Sequence, residues 1–107
     1  MKSKTRIMYV EDKSKGINGP ARIGRVVSSK SGETLHYAGQ TFFALRHSGL
    51  KANFQDSETG HPYWIARARK DGADRLFKGA GDPPVIDDNV REEYWRDIRG
   101  LPDPALG

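Results

Sequence analysis

The chain has 107 residues, no cysteine, 30% charged residues and a formal net charge of +4. A chain of that length holds one domain with one modest core. The missing thiols exclude disulfides, thiolate catalysis and any cysteine-ligated zinc. No apolar run reaches the roughly 18 residues of a membrane span. The start, "MKSKTRIMYVED", is basic but lacks the apolar stretch of a secretory leader. A soluble cytoplasmic protein with no membrane partner is the expectation.

The first element in chain order is "TRIMYVE", apolar at 7, 8, 9 and 10. Apolar side chains on both strand faces predict a fully buried strand. "DKSKGINGP" is dense in turn formers. "ARIGRVVSS" then puts Ala21, Ile23 and Val27 on one parity, with Arg25 interrupting and Gly24 in the middle. A glycine inside a strand marks a bulge or a sharp bend. "KSGE" predicts a hairpin turn. "TLHYAG" sets Leu35 and Tyr37 on one face. "QTFFALR" and "LKANFQD" follow as short strands, the second bringing Ala52 and Phe54 together. "PYWIARAR" is the next strand, with Pro62 at its start, where the missing N–H is tolerated. Asp71-Gly72 predicts a hairpin turn, and "ADRLF" a closing strand.

Residues 78–86, "KGAGDPPVI", read as a crossing loop. The period then changes: Val90, Tyr94 and Ile98 recur at helical spacing, with Trp95 beside Tyr94. Asn89 and Glu92 have the spacing of a capping box, with Asp87 or Asp88 as alternative caps. Gly100 stands where a helix ends, and Pro102 bars continuation. The whole chain, 1–107, thus reads as one mainly β domain. It has a β meander over about 5–77, a loop over 78–86, a helix over about 88–99 and an irregular tail over 100–107. Five to six short strands predict a small antiparallel barrel or curled sheet, SH3-like in size. The single C-terminal helix would lie across a face or plug an end.

Chemistry is sparse in this pattern. His36, His47 and His61 lack the helical i, i+4 spacing of a metal pair. Asp56, Glu58 and His61 fall within one loop, "DSETGH", whose composition is also that of a hairpin turn. There is no Gly-x-Ser-x-Gly elbow, no P-loop and no dinucleotide fingerprint. No catalytic residue, metal or cofactor is assigned.

Binding surfaces are better supported. Residues 1–51 carry a formal +7 and residues 52–107 carry −3; a basic half suits a polyanion. In "YWIARAR", alternation places Tyr63, Arg67 and Arg69 on one face and Trp64, Ala66 and Ala68 on the other. The odd face is expected to meet water, where an aromatic and two arginines suit a nucleic-acid strand. Arg22, Arg25 and Lys30 would extend it. Trp95 beside Tyr94 offers the helix as a protein contact. The expectation is a non-enzymatic binding module, for a protein partner first and weakly for nucleic acid second, with a small enzyme as the third reading.

Taken together, "RIMYVEDKSKGINGPARIGRV", "GETLHYAGQTF", "GLKANFQDSETGHPYWI", "KDGADRLF" and "VREEYWRDIR" resemble a small uncharacterised bacterial family over nearly the whole chain. Some of its members bear the name 1-deoxy-D-xylulose-5-phosphate synthase. That activity implies thiamine diphosphate, held by a motif that begins Gly-Asp-Gly and ends in paired asparagines. The nearest string here is "GDPP", Gly81 to Pro84, and no catalytic residue carries over.

Overall fold

The doubly apolar run at 7–10 becomes the shared wall of two cores. The computed structural model describes residues 4–14, 19–45, 52–72 and 84–104. Its strands are β1 (Lys4–Asp12), β2 (Ala21–Ser28), β3 (Thr34–Tyr37), β4 (Gln40–Ala44), β5 (Phe54–Asp56), β6 (Pro62–Arg67) and β7 (Val85–Ile86). The order β1-β6-β5-β4-β3-β2 is closed by pairing of β1 with β2. Six antiparallel strands therefore form a closed barrel, and β7 adds parallel to β2. The helix α1 follows as a 3₁₀ turn (Asp88–Val90), an α turn (Arg91–Glu93) and a π-helical stretch (Tyr94–Arg99). Gly100 ends it in the left-handed region, φ 63°, which a glycine enters without steric cost. A mainly β barrel with one C-terminal helix is what the periodicity predicts. Among the described residues no helix is long and apolar enough to cross a membrane.

The even positions of β1 face the barrel interior. There Val10 packs with Val26, Leu35, Tyr37, Phe42 and Ile65, flanked by Met8, Phe54 and Tyr63. The odd positions face outward. Ile7 and Tyr9, with Ala21 and Ile23 of β2, meet Val90 and Tyr94 of α1; Trp64, Ala68, Trp95 and Ile98 pack around them. The helix thus lies across the outer face of the β1–β2–β6 wall. Each large side chain buried in either core contributes about 1.5–3 kcal/mol. Arg25, which interrupts the apolar pattern of β2, belongs to this outer face and donates to Glu93 of α1 at 2.8 Å.

Three expectations are corrected. Tyr63 does not face water. Its ring lies inside the barrel, edge-on to Phe42 with centroids 4.7 Å apart. The odd face of β6 is the barrel interior and its even face meets the helix, so Tyr63, Trp64 and Ile65 all pack on a core, and only Arg67 at the strand end is exposed. Gly24 marks no bulge: the β1–β2 register runs unbroken from Lys4↔Ser28 to Glu11↔Ala21. The capping box does not form either, since α1 begins after Asp87 and has no side-chain cap. The Asp87 carboxylate is turned instead toward Arg22 and Tyr37. The strand expected over 73–77, the loop up to residue 83 with its Gly81–Asp82–Pro83 string, and His47 lie outside the described residues.

Candidate functional site

The two ends of the barrel differ in chemistry. At one end the Tyr37 hydroxyl passes over Gly24 and donates to Asp87 Oδ2 at 2.5 Å. Arg22 donates to Asp87 Oδ1 through Nε at 3.1 Å and through a terminal nitrogen at 2.6 Å. The guanidinium also stands 5.5 Å from the Tyr37 ring centroid. Burial, then the Asp87 hydrogen bond and charge, push the Tyr37 phenol above its ordinary pKa. The charges at this end are matched, beside a recess of about 400 Å³ lined by Arg22, Val85 and Asp87.

The other end is open and basic. Strand alternation puts Lys4 and Arg6 on the same side as Met8 and Val10. They prolong the inward face beyond the apolar interior. Lys4 stands opposite Ser28 and Arg6 opposite Val26. A recess of about 220 Å³ opens there, with Met8, Leu35 and Phe54 as its apolar floor and Lys4, Arg6 and Lys30 on its rim. Arg67 stands directly opposite Met8 in the β1–β6 register, so it shares that face and is exposed.

The turn after β2 completes the rim. Ser29 N–H donates to the Thr34 carbonyl at 2.9 Å and Gly32 N–H to the Ser29 carbonyl at 3.0 Å, as the "KSGE" signal predicts. The hydroxyl oxygens of Ser29 and Ser31 accept the N–H groups of Thr34 and Glu33 at 3.2 and 3.3 Å. The two hydroxyls also share a hydrogen bond at 3.5 Å, so one of them donates within the turn and the other keeps its proton for another partner. Glu33, the acid of the same turn, does not line the recess.

Ion pairing separates the basic residues into two sets. Arg22, Arg25, Arg69, Arg91 and Arg96 are each matched to a carboxylate. Among the described residues Lys4, Arg6, Lys30 and Arg67 enter no ion pair; nor do Lys70 and Arg99, which meet away from this end, where Arg99 donates to the Lys70 carbonyl at 3.0 Å. Of the residues singled out from sequence, only Arg67 and Lys30 therefore reach this end unmatched. Arg69 is held by Asp71 at 3.0 and 2.9 Å. Arg22 is paired with Asp87 at the opposite end, and Arg25 is tied to the helix. Tyr63 is inside, and burial raises its phenol above the ordinary range. Lys4 and Arg6 were missed, although a signal exists: in "KTRIMYV" they share the parity of Met8 and Val10.

Trp95 lies at the margin of the outer core. It packs edge-on against Tyr94 at 5.2 Å, and the Arg99 guanidinium stands 5.1 Å from its ring centroid. Half-buried, it lines a groove of about 740 Å³ between the helix and the Leu101–Pro102 segment. The floor of that groove is stiffened by Arg91, which grips the buried Asp103 at 2.6 and 3.0 Å.

The loop with metal-like composition is a turn. Asp56 Oδ1 accepts the N–H groups of Glu58 and Thr59 at 2.8 and 3.2 Å, and Oδ2 accepts the Gln40 side chain at 2.7 Å. Among the described residues no group of three His, Asp or Glu is placed to hold a metal ion. These donors, the Glu58 N–H first, hold the Asp56 pKa below its ordinary 3.8. A depressed carboxylate stabilises the folded state above its unfolded value, and that contribution is lost as pH falls through the folded one. Replacing Asp56 by Asn should therefore make the melting temperature less sensitive to pH below about 4. Melts of both proteins from neutral to acid pH check this; parallel curves would refute the assignment.

Compared with protein-family models, with curated proteins and with solved structures, the chain matches none.

Proposed function

We propose that the protein is a small non-enzymatic binding module whose open barrel end takes the phosphate backbone of nucleic acid. The observation that supports it is the gathering of Lys4, Arg6, Lys30 and Arg67 at one end without carboxylate partners among the described residues, while Arg22, Arg25, Arg69, Arg91 and Arg96 are matched. Unmatched like charges repel one another, so an anion at that end relieves a cost the fold already carries. The concave rim, with a hydroxyl donor between the cations, suits a strand of phosphates better than a flat anionic membrane. Cytoplasmic location belongs to this reading, as does the resemblance to the small bacterial family, which adds no residue to the site.

Binding to a mixed-sequence oligonucleotide should weaken steeply with salt. Three phosphate contacts give a slope of log K against log salt of about −2 to −3. The triple variant Lys4→Gln, Arg6→Gln, Lys30→Gln changes only exposed side chains, so it should fold normally. Each neutralised cation should reduce the slope by about 1. No binding at about 50 mM salt, or an unchanged slope in the triple variant, would refute the proposal.

A second reading, contact with a protein partner, rests on Trp95 in the groove beside Leu101, which is 50% exposed. A half-buried tryptophan in a mainly apolar groove is a common anchor type. In a Trp64→Phe background Trp95 fluorescence should be partly quenched by acrylamide. Complete protection would remove the anchor.

A further inference from the structure

We infer that the basic barrel end selects single-stranded over double-stranded nucleic acid, by seating one unstacked base on the floor formed by Met8, Leu35 and Phe54. This rests on the phosphate-binding reading above and sharpens it. A surface that gripped phosphates alone would need only a basic rim. Here the rim surrounds a recess of about 220 Å³ whose floor is apolar and includes an aromatic ring. Phe54 is half-buried at its station opposite Ala44 and Tyr63, so the ring is held by its neighbours and still borders the recess. Such a floor offers nothing to a phosphate and a stacking surface to a base. Of the Ser29 and Ser31 hydroxyls beside it, which share one hydrogen bond, the one that accepts can donate to a base-edge acceptor.

A paired base cannot enter. In a duplex the bases are stacked and show only their edges in the grooves, whereas a loop or single strand can splay a base out. The cations are then placed to hold the phosphates on either side of the seated base.

The test compares two single strands of equal charge, and a duplex, on the unmodified protein. Labelled oligothymidylate of about ten nucleotides, within the span of a small barrel, is titrated by fluorescence anisotropy. Beside it run an abasic strand of the same phosphate count and a duplex. The intact strand should bind about tenfold more tightly than the abasic one, and about tenfold more tightly than the duplex. The variant Phe54→Leu, checked for folding by its thermal melt, should abolish the difference between intact and abasic strands while leaving the salt slope unchanged. Equal affinity for intact and abasic strands, with the salt slope retained, overturns the base-seating inference and leaves phosphate binding standing. Equal affinity for the duplex overturns it as well. If none of the three binds, both readings fall together.

Discussion

Replacing Glu11 by Ala should destabilise the fold by about 3–5 kcal/mol, the usual cost of removing one partner of a buried ion pair. Glu11 is 0% exposed. Its Oε1 accepts the Tyr9 hydroxyl at 2.6 Å. Its Oε2 takes the Lys13 ammonium at 2.7 Å and the Gly19 N–H at 3.3 Å. The Lys13 side chain is only 5% exposed, so truncation leaves a cation out of water beside an empty volume. It also takes a partner from the Tyr9 hydroxyl, which sits in the outer core. The loss compares with a total stability of about 5–15 kcal/mol for a domain of this size, so the variant should unfold at a much lower urea concentration. The pair itself is worth less than its breakage. The double variant Glu11→Leu, Lys13→Met should therefore be more stable than Glu11→Ala alone. Urea titrations at neutral pH decide it. A loss under about 1 kcal/mol for Glu11→Ala would show that the site is hydrated rather than buried.

Glu11 also shows where sequence reading stops. The run "TRIMYVE" reveals a strand apolar on both faces, and both faces are indeed covered. It does not reveal that the acid at its end is enclosed, because the enclosing groups come from Lys13 and Gly19, beyond the strand. The helix was legible because Val90, Tyr94 and Ile98 repeat at its period and Gly100 stops it. Its capping was not, because Asp87 is claimed by Arg22, 65 residues away in the chain. On β6 the alternation was read correctly, Trp64 and Ala68 pack on a core and Arg67 and Arg69 are exposed, but Tyr63 was placed outside when it lies inside. "Arg out, Ala in" assumes that the arginine face is wet along its length, and barrel closure makes its first part, Tyr63 and Ile65, interior. The candidate site suffered most. Its cations come from the start of β1, the turn after β2 and the end of β6, and barrel closure alone brings them to one end. Composition showed the basic excess of the first half; only the register showed which of its charges were left unmatched.

Gly24→Ala should cost about 2–4 kcal/mol, although alanine is ordinarily the better strand residue by about 0.5–1 kcal/mol. A Cβ at this position would lie 2.4 Å from both Tyr37 Cε1 and Asp87 Oδ2, and 2.7 Å from the Tyr37 hydroxyl oxygen. Neither neighbour is free to yield. The Tyr37 ring is packed in the barrel interior at 7% exposure, and Asp87 is held by Arg22. Relief therefore means expelling the ring or breaking its hydrogen bond to a carboxylate, each worth about 1.5–3 kcal/mol. The two effects are coupled, which makes the prediction specific. In the wild-type chain Tyr37→Phe removes a charged hydrogen bond and should be clearly destabilising. In the Gly24→Ala background that bond is already lost, and the same change should cost little. The phenol provides an independent readout. Its raised pKa means that the folded state holds the proton more tightly than the unfolded chain. That stability is complete below the ordinary value of 10.0 and declines as pH climbs past it. Gly24→Ala should bring the Tyr37 titration back toward the ordinary range, seen as phenolate absorbance appearing at lower pH, and should flatten the alkaline loss of stability. An alanine variant that melts with the wild type and leaves the phenol untouched would mean that this glycine is not the passage through which the tyrosine reaches its carboxylate.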